Sequence, residues 1–169
     1  MNRNVEIKAK VADLEAVERR TQALADTGPI VLEQEDTFFA CGHGRLKLRQ
    51  FGHAGEAELI YYERPPSTGP KESKYLIHRT AEPAQLKAVL AASLGIRGVV
   101  RKRRTLYLIG PTRVHLDRVE GLGDYVELEV ARQPGETTSQ GVAIAHNLMD
   151  ELGIPHETLL EKAYIDLLE

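Results

Sequence analysis

A single cysteine, Cys41, rules out an intramolecular disulfide, and no apolar run approaches the roughly 20 residues of a membrane-spanning helix. No signal-peptide pattern opens the chain, so the reading is a protein of the reducing cytoplasm with no membrane partner. A strong excess of one charge is also missing. The net charge of −3 exerts no global pull on nucleic acid or an anionic bilayer, so affinity for an anion must come from local arrangement. The histidines at 43, 53, 78, 115, 146 and 156 lack zinc spacing. "GHG" and "TGPK" lack the spacing of a phosphate loop, and "RKRR" at 101–104 lacks the interleaved aromatics of a nucleic-acid platform. What is present is 169 residues, enough for one domain (1–169) with one core that needs no metal or disulfide to hold it.

Two periodicities divide the chain. Leu14, Val17, Thr21 and Leu24 recur at helical spacing after Asp13, a suitable N-cap, and Gly28 closes the segment. A second helix follows Pro83, with Leu86, Val89, Leu90 and Leu94 as its apolar stripe and Gly95 as its stop. A third spans Ser139 to Leu152, with Val142, Ala145, Leu148, Met149 and Leu152 inward and Gly153 beyond. Elsewhere the pattern alternates with period two: 4–10, 35–42, 45–51, 57–64, 72–79, 99–109, 112–119 and 124–132 read as strands, separated by Gly- and Pro-bearing turns. The order helix, several strands, helix, several strands suggests two equivalent halves.

The alternation also sorts charge. "NVEIKAK" sets Asn4, Glu6, Lys8 and Lys10 on one face and Val5, Ile7 and Ala9 on the other. "RLKLR" aligns Arg45, Lys47 and Arg49; "RVHLDRV" aligns His115 with Asp117; "YVELEV" aligns Tyr125, Glu127 and Glu129. In "VVRKRRTLY" one basic pair must point each way, Arg101 with Arg103 or Lys102 with Arg104. One wet face on an antiparallel sheet would explain any one of these strands. Segregation of sign between strands points further, because about eight strands can close into a barrel whose interior holds side chains or one ligand. The charged faces would then line a tunnel. Clustered Lys and Arg suit a polyanion, and carboxylates among them make sense if a hard cation bridges them to phosphate oxygens.

"NVEIK", "QEDTFF", "RLKLR", "VRKRR", "VHLDRVEGLGDYVELE" and "YIDLL", in order from residue 4 to residue 168, resemble the CYTH domain family, the triphosphate tunnel metalloenzymes. The resemblance implies an α+β fold, a closed or nearly closed eight-stranded antiparallel barrel with helices outside. It also implies Mg2+ or Mn2+ as cofactor. By the same resemblance Glu6, Glu127 and Glu129 are the metal ligands, with Asn4 where the family has a further Glu, so that one metal ion binds firmly and a second weakly. Lys8, Arg103 and Asp117 are the catalytic positions. Lys8, Lys47, Arg49, Arg64, Lys74, Arg101 and Arg103 are the phosphate-binding ones, with the placement of Arg64, Lys71, Lys74 and Arg101 relative to the tunnel open. Asp36 and Lys162 are further candidates for the tunnel mouth, and for His115 a structural hydrogen bond is favoured over proton transfer.

The family contains class IV adenylyl cyclases, thiamine triphosphatases and inorganic triphosphatases. The reading adopted is cyclase-like, ATP to cyclic AMP and pyrophosphate, on the resemblance of "GRLKLR", "LIYYERP" and "LGDYVELE". The alternatives are hydrolysis of thiamine triphosphate or inorganic triphosphate, and a non-catalytic nucleotide or polyphosphate receptor. Tyr61 and Tyr62 are candidate stacking surfaces for a base, although packing is their commoner role. The outer faces of the barrel leave room for a homodimer.

Overall fold

A computed structural model of the protein describes residues 2–52, 55–65 and 69–169. The turns expected at 51–55 and 65–70 lie partly outside these residues, as does His53. Eight strands, β1 (Asn2–Lys10), β2 (Thr27–Phe39), β3 (Arg45–Phe51), β4 (Ala57–Glu63), β5 (Lys71–Thr80), β6 (Ile96–Ile109), β7 (Thr112–Val119) and β8 (Gly123–Ala131), close into an antiparallel barrel. Four helices pack around it: α1 (Leu14–Leu24), α2 (Pro83–Leu94), α3 (Thr138–Leu152) and the short α4 (Tyr164–Leu168). Among the described residues no helix is long and apolar enough to cross a membrane.

Around the barrel the strands run β1-β5-β4-β3-β2-β6-β7-β8. That order is unchanged when β1 exchanges with β5, β2 with β6, β3 with β7 and β4 with β8. The two halves suggested by the sequence therefore have a counterpart in topology, each a strand, a helix and three strands.

The apolar faces of β1, β7 and β8 point outward and form the main core with α1 and α3. Val5, Ile7, Leu116, Leu128 and Val130 are buried there against Val17, Leu148, Met149 and Leu152. Asp13 caps α1 by accepting from the Ala16 amide, and Thr137 and Gln140 form a capping box on α3. Helix α2 departs from expectation. Leu86 and Leu90 pack against Phe39 and Leu48, but Val89 is 63% exposed and Leu94 faces solvent as well, so half of the expected stripe is unburied. The helix rests mainly on β2 and β3, and its Val89 face points away from them.

Strand β2 begins at Thr27, well before the expected residue 35, because Gly28 and Pro29 looked like a helix stop followed by a loop. The early part instead pairs with β6, Ile30 with Leu106 and Leu32 with Arg104. Strand β6 likewise starts earlier, at Ile96.

Gly141 sits where α3 crosses β1. A Cβ there would lie 2.7 Å from Val5 Cγ2, and Val5 is fully buried with nowhere to move. Gly141→Val is therefore expected to destabilise the fold by about 2–3 kcal/mol through overpacking, read as a lower urea midpoint with an unchanged m-value.

Candidate functional site

Alternation in a closed barrel sends every second side chain into the lumen, and here the lumen is a cavity of about 500 Å³. Asn4, Glu6 and Lys8 enter it from β1, Lys47 and Arg49 from β3, Gln34 and Asp36 from β2, His115 from β7, and Glu127 and Glu129 from β8. From β6 the basic residues that enter are Lys102 and Arg104.

This corrects the expectation for the basic strand. Arg103 and Arg101 point outside, with side chains 60% and 56% exposed, and pair there with Glu33 and Glu35. Residues directly opposite in an antiparallel pair share a face. Lys102 lies opposite buried Gln34, and Arg104 lies opposite buried Asp117, so the register assigns the inward pair. Four consecutive basic residues carry no parity signal of their own. Lys74 is also outside, because Ser73 and Tyr75 on either side of it line the lumen. Arg64 is inside, 3.4 Å from Glu6. Lys71 is buried and donates to the carbonyl of Glu161. Tyr62 faces the lumen, whereas Tyr61 lies against Gly44 and donates to Glu63.

Two carboxylates organise the basic side. Asp36, 1% exposed, accepts two hydrogen bonds from Arg49, both at 2.8 Å, and lies 3.0 Å from Lys102 Nζ and 3.1 Å from Lys47 Nζ. Burial alone would raise its pKa, but these three cations hold it well below the usual carboxylate range. Burial in turn lowers Lys102 to about 7, against the pull of Asp36. Asp117, fully buried, takes both Nε and Nη2 of Arg104 at 2.7 and 2.8 Å and accepts from the Tyr164 hydroxyl at 2.7 Å. It braces Arg104 from behind and does not line the cavity. Asp36 was a marginal candidate in the sequence; it lies opposite Arg49 in the β2–β3 register.

The acidic side lies across the lumen. Glu6 stands opposite Glu129, and Lys8 opposite Glu127, along the β1–β8 ladder. Burial, and then Glu129, push Glu6 up to about 7, with Arg64 acting against them. Burial also raises Glu129, with Glu127 adding to the rise. Burial would raise Glu127 too, but Lys8 and Arg104, each 3.6 Å away, bring it well below the ordinary value. Lys8 is lowered to about 8, mainly by burial.

As the side chains stand, no three His, Cys, Asp or Glu groups among the described residues are gathered closely enough to hold a metal ion. Glu127 is turned to Lys8 and Arg104, and Glu6 to Arg64. The donor chemistry nevertheless suits a hard cation: two half-buried carboxylates, Glu6 and Glu129, face each other, a third is adjacent, and their mutual repulsion is relieved by positive charge between them.

One end of the tunnel is covered by the C-terminal segment. The Leu160 amide bonds the Lys8 carbonyl, Lys8 Nζ donates to the Lys162 carbonyl at 3.3 Å, and the Tyr164 ring lies 3.8 Å from Lys8 Nζ. Asp166 pairs with Arg45 and Arg97. Lys162 thus contributes its backbone, and Tyr164 is one of the lining residues that sequence reading missed, with Arg79 and Arg113; it is visible there only as part of "YIDLL".

A family model described as the CYTH domain matches residues 2–164. The chain belongs to the CYTH domain family. The adenylate cyclase CyaB of Aeromonas hydrophila is 24% identical over 156 residues, covering 78% of this chain and 82% of that protein. A solved structure from Pyrococcus horikoshii superposes with a TM-score of 0.85 at 27% identity, covering 97% of this chain and 98% of that one. A cyclase-type protein from Hippeastrum, described as having a dominant triphosphatase activity, superposes at 0.66 and 16% identity over 95% of this chain and 91% of its own, a likeness of fold alone. CYTH proteins process small triphosphates such as ATP, as cyclases or triphosphatases, and depend in general on metal.

Two outcomes follow from the electrostatics of this CYTH lumen. Asp36→Ala leaves Lys47, Arg49 and Lys102 buried without their carboxylate and is expected to cost about 3–5 kcal/mol. Inorganic triphosphate should then raise the variant's Tm by more than it raises the parent's, because the anion replaces the lost charge. The second concerns His115, whose Nδ1 is buried without a hydrogen-bond partner among the described residues, so the bond expected of it is not made there. Burial and Arg104 hold His115 well below its ordinary 6.5. Below pH 6.5 the unfolded chain binds a proton here that the folded chain does not, so this group's share of stability is lost as pH falls. Removing it with His115→Gln should recover about 1.4 kcal/mol of the acid-induced loss between pH 7.5 and pH 5.5, measured by urea unfolding.

Proposed function

We propose that the protein is a metal-dependent, adenylyl cyclase-like enzyme that binds the triphosphate of ATP in the tunnel and forms cyclic AMP and pyrophosphate. One observation carries the reading. Carboxylates on β1 and β8 share one lumen with Lys47, Arg49 and Lys102 on β3 and β6, and Arg104, 3.6 Å from Glu127, stands between the two groups. A phosphate chain lying between them meets guanidinium and ammonium groups on one side, where Arg49 and Arg104 are already aimed by Asp36 and Asp117. On the other side Glu6, Glu127 and Glu129 would hold Mg2+ or Mn2+, which would neutralise charge on the phosphate oxygens.

Phosphoryl transfer asks mainly for position and charge compensation. The ribose 3′-oxygen forms a bond to the α-phosphorus as the bond from that phosphorus to the bridging β-oxygen breaks. Pyrophosphate leaves, and the hydroxyl proton passes to solvent. Lys8, in contact with Glu127, supports the charge that develops on this side of the lumen, and Asp117 acts by positioning Arg104. The CyaB relative supports this choice of reaction. Attack by water on the terminal phosphorus is the second reading, supported by the activity ascribed to the Hippeastrum relative.

The test is product analysis by ion exchange after incubation with Mg2+ or Mn2+ and, separately, ATP, thiamine triphosphate and inorganic triphosphate. Cyclic AMP with pyrophosphate is expected; orthophosphate would replace the cyclase reading with the hydrolytic one. Glu127→Ala should lower turnover by about 10²–10³-fold and abolish its metal dependence. If no product forms and Glu127→Ala binds ATP as well as or better than the parent, the tunnel is a receptor and the enzymatic reading fails.

A further inference from the structure

The internal symmetry of the barrel leaves one place uncovered. The exchange of β1 with β5, β2 with β6, β3 with β7 and β4 with β8 also exchanges α1 with α2, and their contacts agree: α1 lies on β6, β7 and β8, and α2 on β2 and β3. Helix α3 has no such counterpart. It packs beside α1 over β1 and β8, where Val5, Ile7, Leu128 and Val130 are buried. The equivalent seat lies beside α2 over β5 and β4, and among the described residues no second helix stands there.

This seat is apolar on both sides. On the sheet, Ile77 lines the lumen, so Leu76 points outward, 51% exposed, opposite half-buried Tyr61; Leu59 shares that outer face. On the helix, Lys87 lies 3.7 Å from Glu35 of β2. Val89, two residues and about 200° further round, is turned away from β2 and so toward β4, 63% exposed. Composition agrees with geometry. Helix α1, which has α3 beside it, carries Glu15, Glu18, Arg19 and Arg20, whereas α2 carries Lys87 as its one charged residue and leaves Ala84, Ala88 and Ala92 exposed as well. A helix apolar all round belongs in an interior.

We propose that the seat takes α2 of a second copy of this chain, in a two-fold dimer whose α2 helices lie side by side between the two barrels. Each α2 then has its own β2 and β3 beneath it, the partner's α2 beside it and the partner's β4 and β5 above it. The occupant must be a short helix that brings no charge into an apolar groove, and α2 is such a helix with a bare face of its own. A two-fold contact is self-complementary, so one arrangement covers Val89, Leu76 and the exposed alanines together. No charge is stranded: Lys87 keeps Glu35, and Lys74, further along β5, stands opposite Glu63.

The experiment is sedimentation of the full chain as parent, Val89→Asp, Leu76→Lys, an equimolar mixture of those two, and Val31→Asp, which alters a similarly exposed apolar residue of β2 away from the seat. All three positions are exposed, and a far-UV circular dichroism spectrum matching the parent's checks each fold. The parent should be a dimer at about 10 μM. Val89→Asp and Leu76→Lys, each alone, should raise the dimer dissociation constant about 100-fold or more, because each would bury an unpaired charge. Val31→Asp should leave it unchanged. Mixed, the first two should associate again, since the carboxylate introduced in one copy meets the ammonium introduced in the other. A parent that stays monomeric at about 100 μM, seat variants that dimerise like the parent, loss of the dimer in Val31→Asp, or a mixture that remains monomeric would each overturn the proposal.

Discussion

The arrangement that everything else depends on is Asp36 and the three cations gathered on it. Taking charges out of water is costly, and closing this barrel buries Lys47, Arg49, Lys102 and Arg104 together. Without interior carboxylates, such a lumen would be driven open by repulsion or would lose the protons of its lysines. Asp36 and Asp117 prevent both. They also fix two guanidinium planes before any ligand arrives, so less side-chain entropy remains to be lost when phosphate binds. The same contacts that make closure tolerable thus preorganise the anion site.

Much of this is legible in the sequence because closure obeys a simple rule. Once a strand alternates and its apolar residues are wanted by helices outside, its charged residues must face in. Val5, Ile7 and Ala9 place Glu6 and Lys8, Leu46 and Leu48 place Lys47 and Arg49, and Leu128 and Val130 place Glu127 and Glu129. The rule fails where alternation is absent. In "RKRR" both parities are basic, and only pairing with Gln34 and Asp117, residues distant in sequence, turns Lys102 and Arg104 inward. Lys74 misleads for a related reason: the stretch from Lys71 to Lys74 carries a basic residue on each face. The early half of β2 is hidden behind Gly28 and Pro29, whose local preference is overridden by pairing with β6. Tyr164 comes from a five-residue helix too short to announce itself by periodicity.

Topology explains how the two charged groups are placed. With β1 next to β8, and β3 and β2 on the far side with β6 beside them, Lys47, Arg49 and Lys102 gather on Asp36 away from Glu6 and Glu129, and the two groups meet where Arg104 lies 3.6 Å from Glu127. A ligand between the two groups is held by Coulomb attraction on the basic side and needs a cation on the acidic side. That cation must also outcompete Lys8, Arg104 and Arg64 for carboxylates already paired with them. Metal and phosphate should therefore bind together: phosphate draws the cations away from the carboxylates, and metal draws the carboxylates away from the cations.

Asn4 fits the same logic. It is buried in the lumen on the mouth side of Glu6, opposite Ser73 on β5 and Ala131 on β8, so its surroundings are neutral. A carboxylate there would stand on the same face as Glu6, two residues along, next to a group that burial and Glu129 already push up to about 7. Added negative charge would raise Glu6 further and keep it protonated, and a protonated carboxyl is a poor ligand for a hard cation. An amide at residue 4 gives up a charge but leaves Glu6 easier to ionise. The anionic character lost at the rim is partly recovered one step deeper, beside the carboxylate that faces it.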